Sequence, residues 1–196
     1  MGKNLAAIFR KNALKVSAFV HETAGIREAL VKSVEICLKA PECEMLMPAE
    51  DSGDSRRILA APGLGADEYA ILDACCREKH IRVVRERLRR FPGGFDAGIT
   101  LVDAGIAETG TLVVNSDSED IRLASMLCET HIAILDRSDI RVSALEMADE
   151  LGAMMNSCGS YTSFITGASR TADIERVLAL GVHGPLALHI VLKGSM

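Results

Sequence analysis

Two short segments of the chain carry the residue types and spacings that suit ligand chemistry. The first, VDAGIAETGTLVV at 102–114, places two carboxylates, Asp103 and Glu108, among turn formers between two apolar flanks. A carboxylate at a turn can act as a nucleophile or a general base, so Glu108 and Asp103 are catalytic candidates. The Gly110 amide is a candidate oxyanion donor beside Glu108.

An ordinary tight turn is the alternative interpretation of the first segment. In that case Gly105 and Gly110 supply positive φ, and Thr109 and Thr111 lie at strand edges. We keep both interpretations open. If the turn faces a ligand, these four residues are its binding candidates.

The second segment, TGASRTADIE at 166–175, suits an anion. Gly167 allows a sharp turn, and Ser169 or Thr171 can cap the helix predicted to follow. The free amides of a first helical turn and the Arg170 guanidinium then favour a phosphate or carboxylate. The alternative is an ordinary capped helix in which Arg170 pairs with one of the acidic residues after it.

Two histidines and one basic run are weaker candidates. His183, beside a predicted helix end, can serve as an acid or base, or can simply bond a backbone carbonyl. His189 lies in an apolar strand and is interpreted as a packing residue. The run REKHIRVVRERLRR at 77–90 is either a solvated surface or a docking surface for an acidic partner.

Alternating strands and helices must position these residues. Apolar periodicity and turn signals predict helices at 3–12, 66–80, 119–128, 143–155 and 172–180, and a further helix after Thr23, which is its predicted cap. The same signals predict strands at 15–21, 57–63, 81–88, 131–136, 161–167 and 186–193. The polar stretch 43–57 is predicted to be a loop. Because the later strands are apolar on both faces, the pattern predicts an α/β fold with a mostly parallel sheet flanked by helices. We expect ligands in the loops that leave the carboxyl ends of the strands.

Composition narrows the class of protein. The 196 residues are 48% apolar and 25% charged, with a net charge of −5, which gives no general attraction to nucleic acid or to anionic membranes. We expect one domain over 1–196, with residues 1–14 as a candidate helical extension. The six cysteines form no C-x-x-C motif, and no membrane-length apolar run is present. We therefore expect a cytoplasmic protein with reduced thiols and no metal site in this chain.

Three segments together resemble a known family. DAGIAETGTLVV (103–114), HIAILDRSDI (131–140) and GASRTADIERVLALGVHGP (167–185) are similar to the LUD domain, the lactate-utilisation LutC/YkgG family, over roughly 60–193. The resemblance implies a fold like that of the NagB/RpiA/CoA-transferase group. It also implies a role in oxidising L-lactate to pyruvate beside two partners, LutA/LutB-like proteins that carry the iron–sulfur clusters, with a small carboxylate or other anion as ligand. A homodimer stays open.

The same fold group supplies rival functions. Glu108-Thr109-Gly110 looks like the Glu-x-Gly turn of some CoA transferases, which would make this a freestanding acyl-CoA or sugar-phosphate enzyme using Glu108. A non-catalytic assembly or regulatory protein, docking through 77–90, is the third hypothesis.

Overall fold

The computed structural model describes residues 2–43, 57–155, 161–171, 179–180 and 184–194. The α-helices in this part of the chain are α1 (Gly2–Lys15), α2 (Ile26–Lys39), α3 (Ala66–Arg77), α4 (Glu119–Met126) and α5 (Ala148–Met155). The strands are β1 (Phe19–Thr23), β2 (Arg57–Ala60), β3 (Ile81–Val84), β4 (Phe95–Val102), β5 (Ala104–Ile106), β6 (Thr111–Asn115), β7 (Cys128–Asp136), β8 (Ile140–Arg141), β9 (Thr162–Ile165), β10 (Arg170–Thr171), β11 (Ala179–Leu180) and β12 (Ala187–Lys193).

Six of the strands form the main sheet, in the order β1-β12-β7-β4-β2-β3. Every neighbouring pair in this sheet is parallel. The central strands β4 and β7 are buried along almost their whole length, which explains their nearly continuous apolar sequences. The α/β class predicted from the sequence is therefore confirmed.

Both faces of the main sheet are covered. On one face, Leu30 of α2 and Leu72 of α3 pack in one cluster with Ile132 of β7. On the other face lie α1, α4 and a second sheet, and there Phe9 of α1 packs in one cluster with Leu135 of β7.

The second sheet has the order β8-β5-β6-β9 and carries the first candidate segment. Strands β5 and β6 pair as an antiparallel hairpin, with β8 parallel to β5 and β9 antiparallel to β6. Leu112 and Val114 of β6 face the main core, whereas Val113 packs with Met147 next to α5. The hairpin is thus held between the main sheet and α5.

Two predictions about helices were wrong. Thr23 does not cap α2: the Glu28 carboxylate accepts a hydrogen bond from the Ala24 amide at 2.8 Å, and the Thr23 hydroxyl donates to the Leu192 carbonyl at 3.4 Å. The helix predicted over 172–180 does not extend to its end, because Ala179–Leu180 pair with Arg170–Thr171 as the β10/β11 ribbon. Residues 172–178, and 44–56 of the predicted loop, lie outside the described residues.

The five cysteines in the described ranges are free thiols, and all but Cys75 are buried, as expected for core residues. Burial is the main cause that raises the pKa of Cys37 and of Cys76 to about 12. No helix in the described residues is long and apolar enough to cross a bilayer.

Candidate functional site

The Glu108-Thr109-Gly110 turn is fixed by its backbone. Gly110 has φ +69°, and its amide donates to the Ile106 carbonyl at 2.9 Å. A Cβ atom at Gly110 would lie 2.3 Å from the Ala13 nitrogen of α1, so only glycine fits between the turn and the helix. Because the turn already uses this amide, Gly110 is not free to serve as the oxyanion donor that the sequence suggested.

A side chain of α1 ties the helix to the same turn. Asn12 Nδ2 donates to the carbonyl oxygens of Ala107 at 2.8 Å and of Glu108 at 3.0 Å. The Glu108 side chain is exposed. Its role as a nucleophile or base stays a prediction.

Asp103 and Gly105 both stabilise the β5–β6 hairpin and its packing. Asp103 Oδ2 accepts from the Asn115 amide at 2.6 Å and so closes the open end of the hairpin. Gly105 was expected to supply positive φ, and this is wrong: it is a buried strand residue. A Cβ there would lie 2.7 Å from Leu135 Cδ2 and 3.0 Å from Phe9 Cε2, so Gly105 permits close packing.

A row of threonine hydroxyls joins the two candidate segments. Thr111 Oγ1 lies 2.7 Å from Thr109 Oγ1 and 2.8 Å from Thr166 Oγ1. Thr166 directly precedes the Gly167–Thr171 stretch, so the segments that the sequence separates meet at the β6–β9 edge.

The second segment is anchored on the residue that follows α1. Gly167 has φ +78°, and a Cβ there would lie 2.2 Å from the Val16 carbonyl oxygen. The Arg170 guanidinium donates to that same oxygen at 3.0 Å. The acidic residues predicted as its alternative partners, Asp173 and Glu175, lie outside the described residues. Arg170 and Thr171 belong to β10, and residues 172–178 of the helix predicted to follow them lie outside the described ranges.

A cavity of about 270 Å³ lies between this segment, the end of α4 and the main sheet. Gly167 and Ser169, both candidates from the sequence, line it. Its other walls are Ser125, Met126, His131, Ser163, Phe164, Ile165, Thr166, Ala168, Gly184, Pro185 and Leu188. Among the described residues, Asp103, Glu108 and Arg170 do not line it.

The cavity departs from the expected position at the carboxyl ends of the strands. His131 and Leu188 lie in the first halves of β7 and β12, so the cavity adjoins the amino-terminal halves of these strands. His183 falls outside the described residues, although Gly184 and Pro185 after it line the cavity.

His131 is the ionisable group of this cavity that the sequence did not single out. Its side chain is 1% exposed, and its Nε2 lies 2.8 Å from Thr100 Oγ1. Burial lowers the pKa of His131 to about 4, so the imidazole is neutral near pH 7. A single histidine in an apolar strand gave no signal in the sequence, because nothing local indicates what it faces.

The described lining is uncharged and combines a largely apolar wall with four hydroxyls and one imidazole. The hydroxyls of Ser125, Ser163, Thr166 and Ser169 and the neutral imidazole can exchange hydrogen bonds with a ligand. Three of these hydroxyls already have partners within the protein: Ser125 Oγ donates to the Arg122 carbonyl at 2.9 Å, Ser163 Oγ lies 2.9 Å from Ser116 Oγ, and Thr166 bonds Thr111. The cavity therefore suits a small polar molecule, held by neutral donors.

These features define the class of protein first: an α/β protein with a parallel main sheet and an uncharged cavity against a smaller second sheet. The sequence profile of the LUD domain matches residues 6–192, and the chain belongs to this family. A crystal structure of a DUF162 family protein from Deinococcus radiodurans has the same fold, with a TM-score of 0.60 and 18% identity over 99% of both chains.

Curated relatives carry a more specific name. The chain is 40% identical over 101 residues to "Lactate utilization protein C" of Macrococcus caseolyticus, which is 50% of this chain and 44% of that protein. It is 37% identical over 103 residues to the Bacillus subtilis protein of the same name, covering 50% of this chain and 42% of the relative. The match thus spans less than half the length of these relatives.

Proposed function

We propose that this chain acts in lactate utilisation, as the LUD-domain subunit of a system that oxidises L-lactate to pyruvate. The family match over 6–192 and the named relatives at about 40% identity carry this proposal. The iron–sulfur clusters belong to partner proteins in this proposal. Cluster ligation needs several cysteines held close together, and the described residues contain no group of three or more His, Cys, Asp and Glu side chains that could hold a metal ion.

The ligand of this subunit is a small carboxylate, bound in the cavity beside Gly167 and Ser169. A volume of about 270 Å³ accommodates a molecule of lactate size, and the Ser169 hydroxyl can donate to a carboxylate. His131, with its lowered pKa, is a weak base near pH 7, so its role is to orient a ligand by hydrogen bonding.

Oxygen-free affinity purification from the native cell tests the subunit role. We expect iron–sulfur proteins to co-elute and lactate oxidation, measured with an artificial acceptor, to require all components. If the chain elutes alone, and lactate oxidation in the cell extract persists after its removal, the proposal is wrong.

A variant separates ligand binding from assembly. Ser169→Val replaces a hydroxyl on the cavity wall with methyl groups. We expect the partners still to co-elute while lactate turnover falls about tenfold or more, as for loss of a ligand hydrogen bond. Unchanged turnover would contradict the cavity as the ligand site. The matched control is Ser138→Val, whose residue lies in a 3₁₀ turn outside the cavity.

A further inference from the structure

A second group of ionisable side chains lies at the β1 edge of the main sheet, on the face covered by α2. His21 of β1 and His189 of β12 approach with Nε2 and Nδ1 3.0 Å apart. Their ring planes differ by 7° and their centroids are 5.2 Å apart. This geometry is that of two nearly coplanar imidazoles joined edge to edge by a hydrogen bond, and the Phe19 ring packs on His189 with centroids 4.6 Å apart.

The imidazole pair borders a cavity of about 130 Å³ together with charged residues of α2. These residues are Lys32, Glu35 and Lys39, and Lys32 Nζ lies 2.8 Å from Glu35 Oε2. Two ammonium groups against one carboxylate leave the cavity with excess positive charge. The volume is well below the roughly 300–1,000 Å³ of pockets for drug-sized molecules, so it suits a single small group.

The imidazole pair adds directional hydrogen bonding to this charge. One proton lies between the rings, so one outer ring nitrogen is a donor and the other an acceptor, whichever tautomer is present. Burial and then Lys32 lower the pKa of His21, while burial and then His21 lower the pKa of His189 to about 4. Without a bound anion, the imidazole pair is thus neutral near pH 7. An extra proton would turn both outer ring nitrogens into donors.

The lysines are not needed to neutralise the end of α2. Arg57 Nη1 donates to the carbonyl oxygens of Cys37 at 3.0 Å and of Ala40 at 2.8 Å. This guanidinium offsets the negative end of the helix dipole next to the cavity. Lys32 and Lys39 therefore add their charge to a site whose helix end is already compensated.

A metal ion suits these donors less well. The described residues contain no cluster of three or more His, Cys, Asp and Glu side chains arranged to hold a metal ion. Among the described residues that line the cavity, Glu35 is the only carboxylate; it is bonded to Lys32, and two ammonium groups repel a cation.

We propose that His21, His189, Lys32 and Lys39 form a binding site for a phosphate group, either free or as a phosphomonoester. The ammonium groups supply charge, and the outer imidazole nitrogens supply directed donors. This site is separate from the cavity beside Gly167 and Ser169, and does not depend on its ligand.

Titration of the full chain with inorganic phosphate tests the site, with calorimetry and the imidazole NMR signals as readouts. We expect saturable binding that moves the signals of His21 and His189. Lys39 is exposed, so Lys39→Gln should fold normally and weaken phosphate binding about tenfold. The matched control is Lys79→Gln, on the opposite edge of the sheet, which should leave the affinity unchanged.

Sulfate provides the pH test, because it stays a dianion from about pH 5 to 8. A bound dianion favours the protonated form of the imidazole pair, so sulfate affinity should rise as the pH falls. The rise should be roughly tenfold per pH unit at most for one linked proton. The pair also faces the charges of Lys32, Glu35 and Lys39. His21→Gln should abolish this rise. Binding that is equal in Lys39→Gln and Lys79→Gln, or that leaves both imidazole signals unmoved, would overturn the site. If Zn²⁺ moves these signals and phosphate does not, the site binds a metal ion and the proposed phosphate binding is wrong.

Glycerol 3-phosphate, as a simple phosphomonoester, distinguishes the two sources of the group. Comparable affinity for it and for inorganic phosphate identifies a site that takes the phosphate end of a larger molecule. Binding of inorganic phosphate alone identifies a site for the free ion. Binding of neither compound would refute the proposal.

Discussion

At the scale of single residues, two glycines determine how the candidate segments pack on α1. Gly110 and Gly167 both have positive φ, and each lies where a Cβ atom would collide with the backbone at Ala13 or Val16. Steric contact with the backbone, added to the positive φ, therefore makes glycine necessary at both positions.

Replacing Gly110 by Ala tests this steric role. The added Cβ would lie 2.3 Å from the Ala13 nitrogen, so we expect a loss of about 2–4 kcal/mol in the free energy of unfolding, measured in urea. The matched control is Gly152→Ala in α5, where a Cβ meets nothing within 4 Å. That change should stabilise the protein by about 0.5–1 kcal/mol, and equal effects at the two positions would refute the argument.

The buried imidazole of His131 makes stability depend on pH. Its folded pKa of about 4 is below the ordinary value of 6.5, so the unfolded chain binds its proton first as the pH falls. The contribution of His131 is fully present above about pH 6.5 and is lost progressively toward pH 4.

We expect His131→Gln to flatten the fall in unfolding free energy between about pH 6.5 and 4, by up to about 3 kcal/mol. Urea melts at several pH values measure this slope. His80→Gln, at an exposed turn, is the control and should keep the wild-type slope. An unchanged slope in His131→Gln would show that its imidazole is not held neutral.

At the scale of elements, a buried carboxylate joins β4 to its surroundings. Asp96 is 0% exposed; its Oδ1 accepts from the Cys43 amide at 2.9 Å, and its Oδ2 accepts from the Ile58 amide of β2 at 2.7 Å. The β2–β4 register contains only the pairs Leu59–Ala97 and Ala60–Gly98. The carboxylate therefore extends the contact between two strands that share few backbone pairs.

Asp96→Ala should destabilise the protein by about 2–5 kcal/mol, because it leaves two buried amides without acceptors. Asp96→Asn keeps one carbonyl acceptor but places an NH2 donor against the other backbone N–H, so it should destabilise by a similar amount. Thermal or urea unfolding measures both changes. If either variant is as stable as the wild type, the two hydrogen bonds are not the source of the stability.

At the scale of the whole molecule, the basic run 77–90 lies at the β3 edge of the main sheet and in the 3₁₀ turn after it. Part of its charge is neutralised locally: Arg77 pairs with Asp73 at 2.6 Å, and Arg89 pairs with Glu119 at 3.0 Å. Arg87 and Arg90 are exposed in the same region. A surface of this kind can steer an acidic partner to a protein whose own net charge is −5.

Charge reversal tests this surface in the assembled system. Arg87→Glu with Arg90→Glu should weaken association with the proposed iron–sulfur partners by about tenfold at low salt, and the remaining association should be less salt-sensitive. Arg10→Glu with Lys11→Glu makes the same charge change on exposed residues of α1 and is the control. An equal loss in the two double variants would indicate a general charge effect rather than docking through 77–90.

The sequence by itself determined the alternation of strands and helices, the α/β class and the Gly110 turn. These features are local or periodic: apolar strands buried on both faces and glycine at positive φ leave a signal in neighbouring residues. The likeness to the LUD domain also rested on contiguous motifs. Gly105 was misjudged because its constraint comes from Phe9 and Leu135, which are distant in the sequence.

Only the tertiary structure decided which side chains meet. The Thr111–Thr166 contact, the Asn12 bonds to the turn and the His21–His189 pair join residues 55, 95 and 168 positions apart. A hydroxyl or imidazole in a strand has the same local sequence context whether it faces solvent, a core or a cavity. Its partner is set by strand order and helix packing, which depend on burying the whole apolar surface at once.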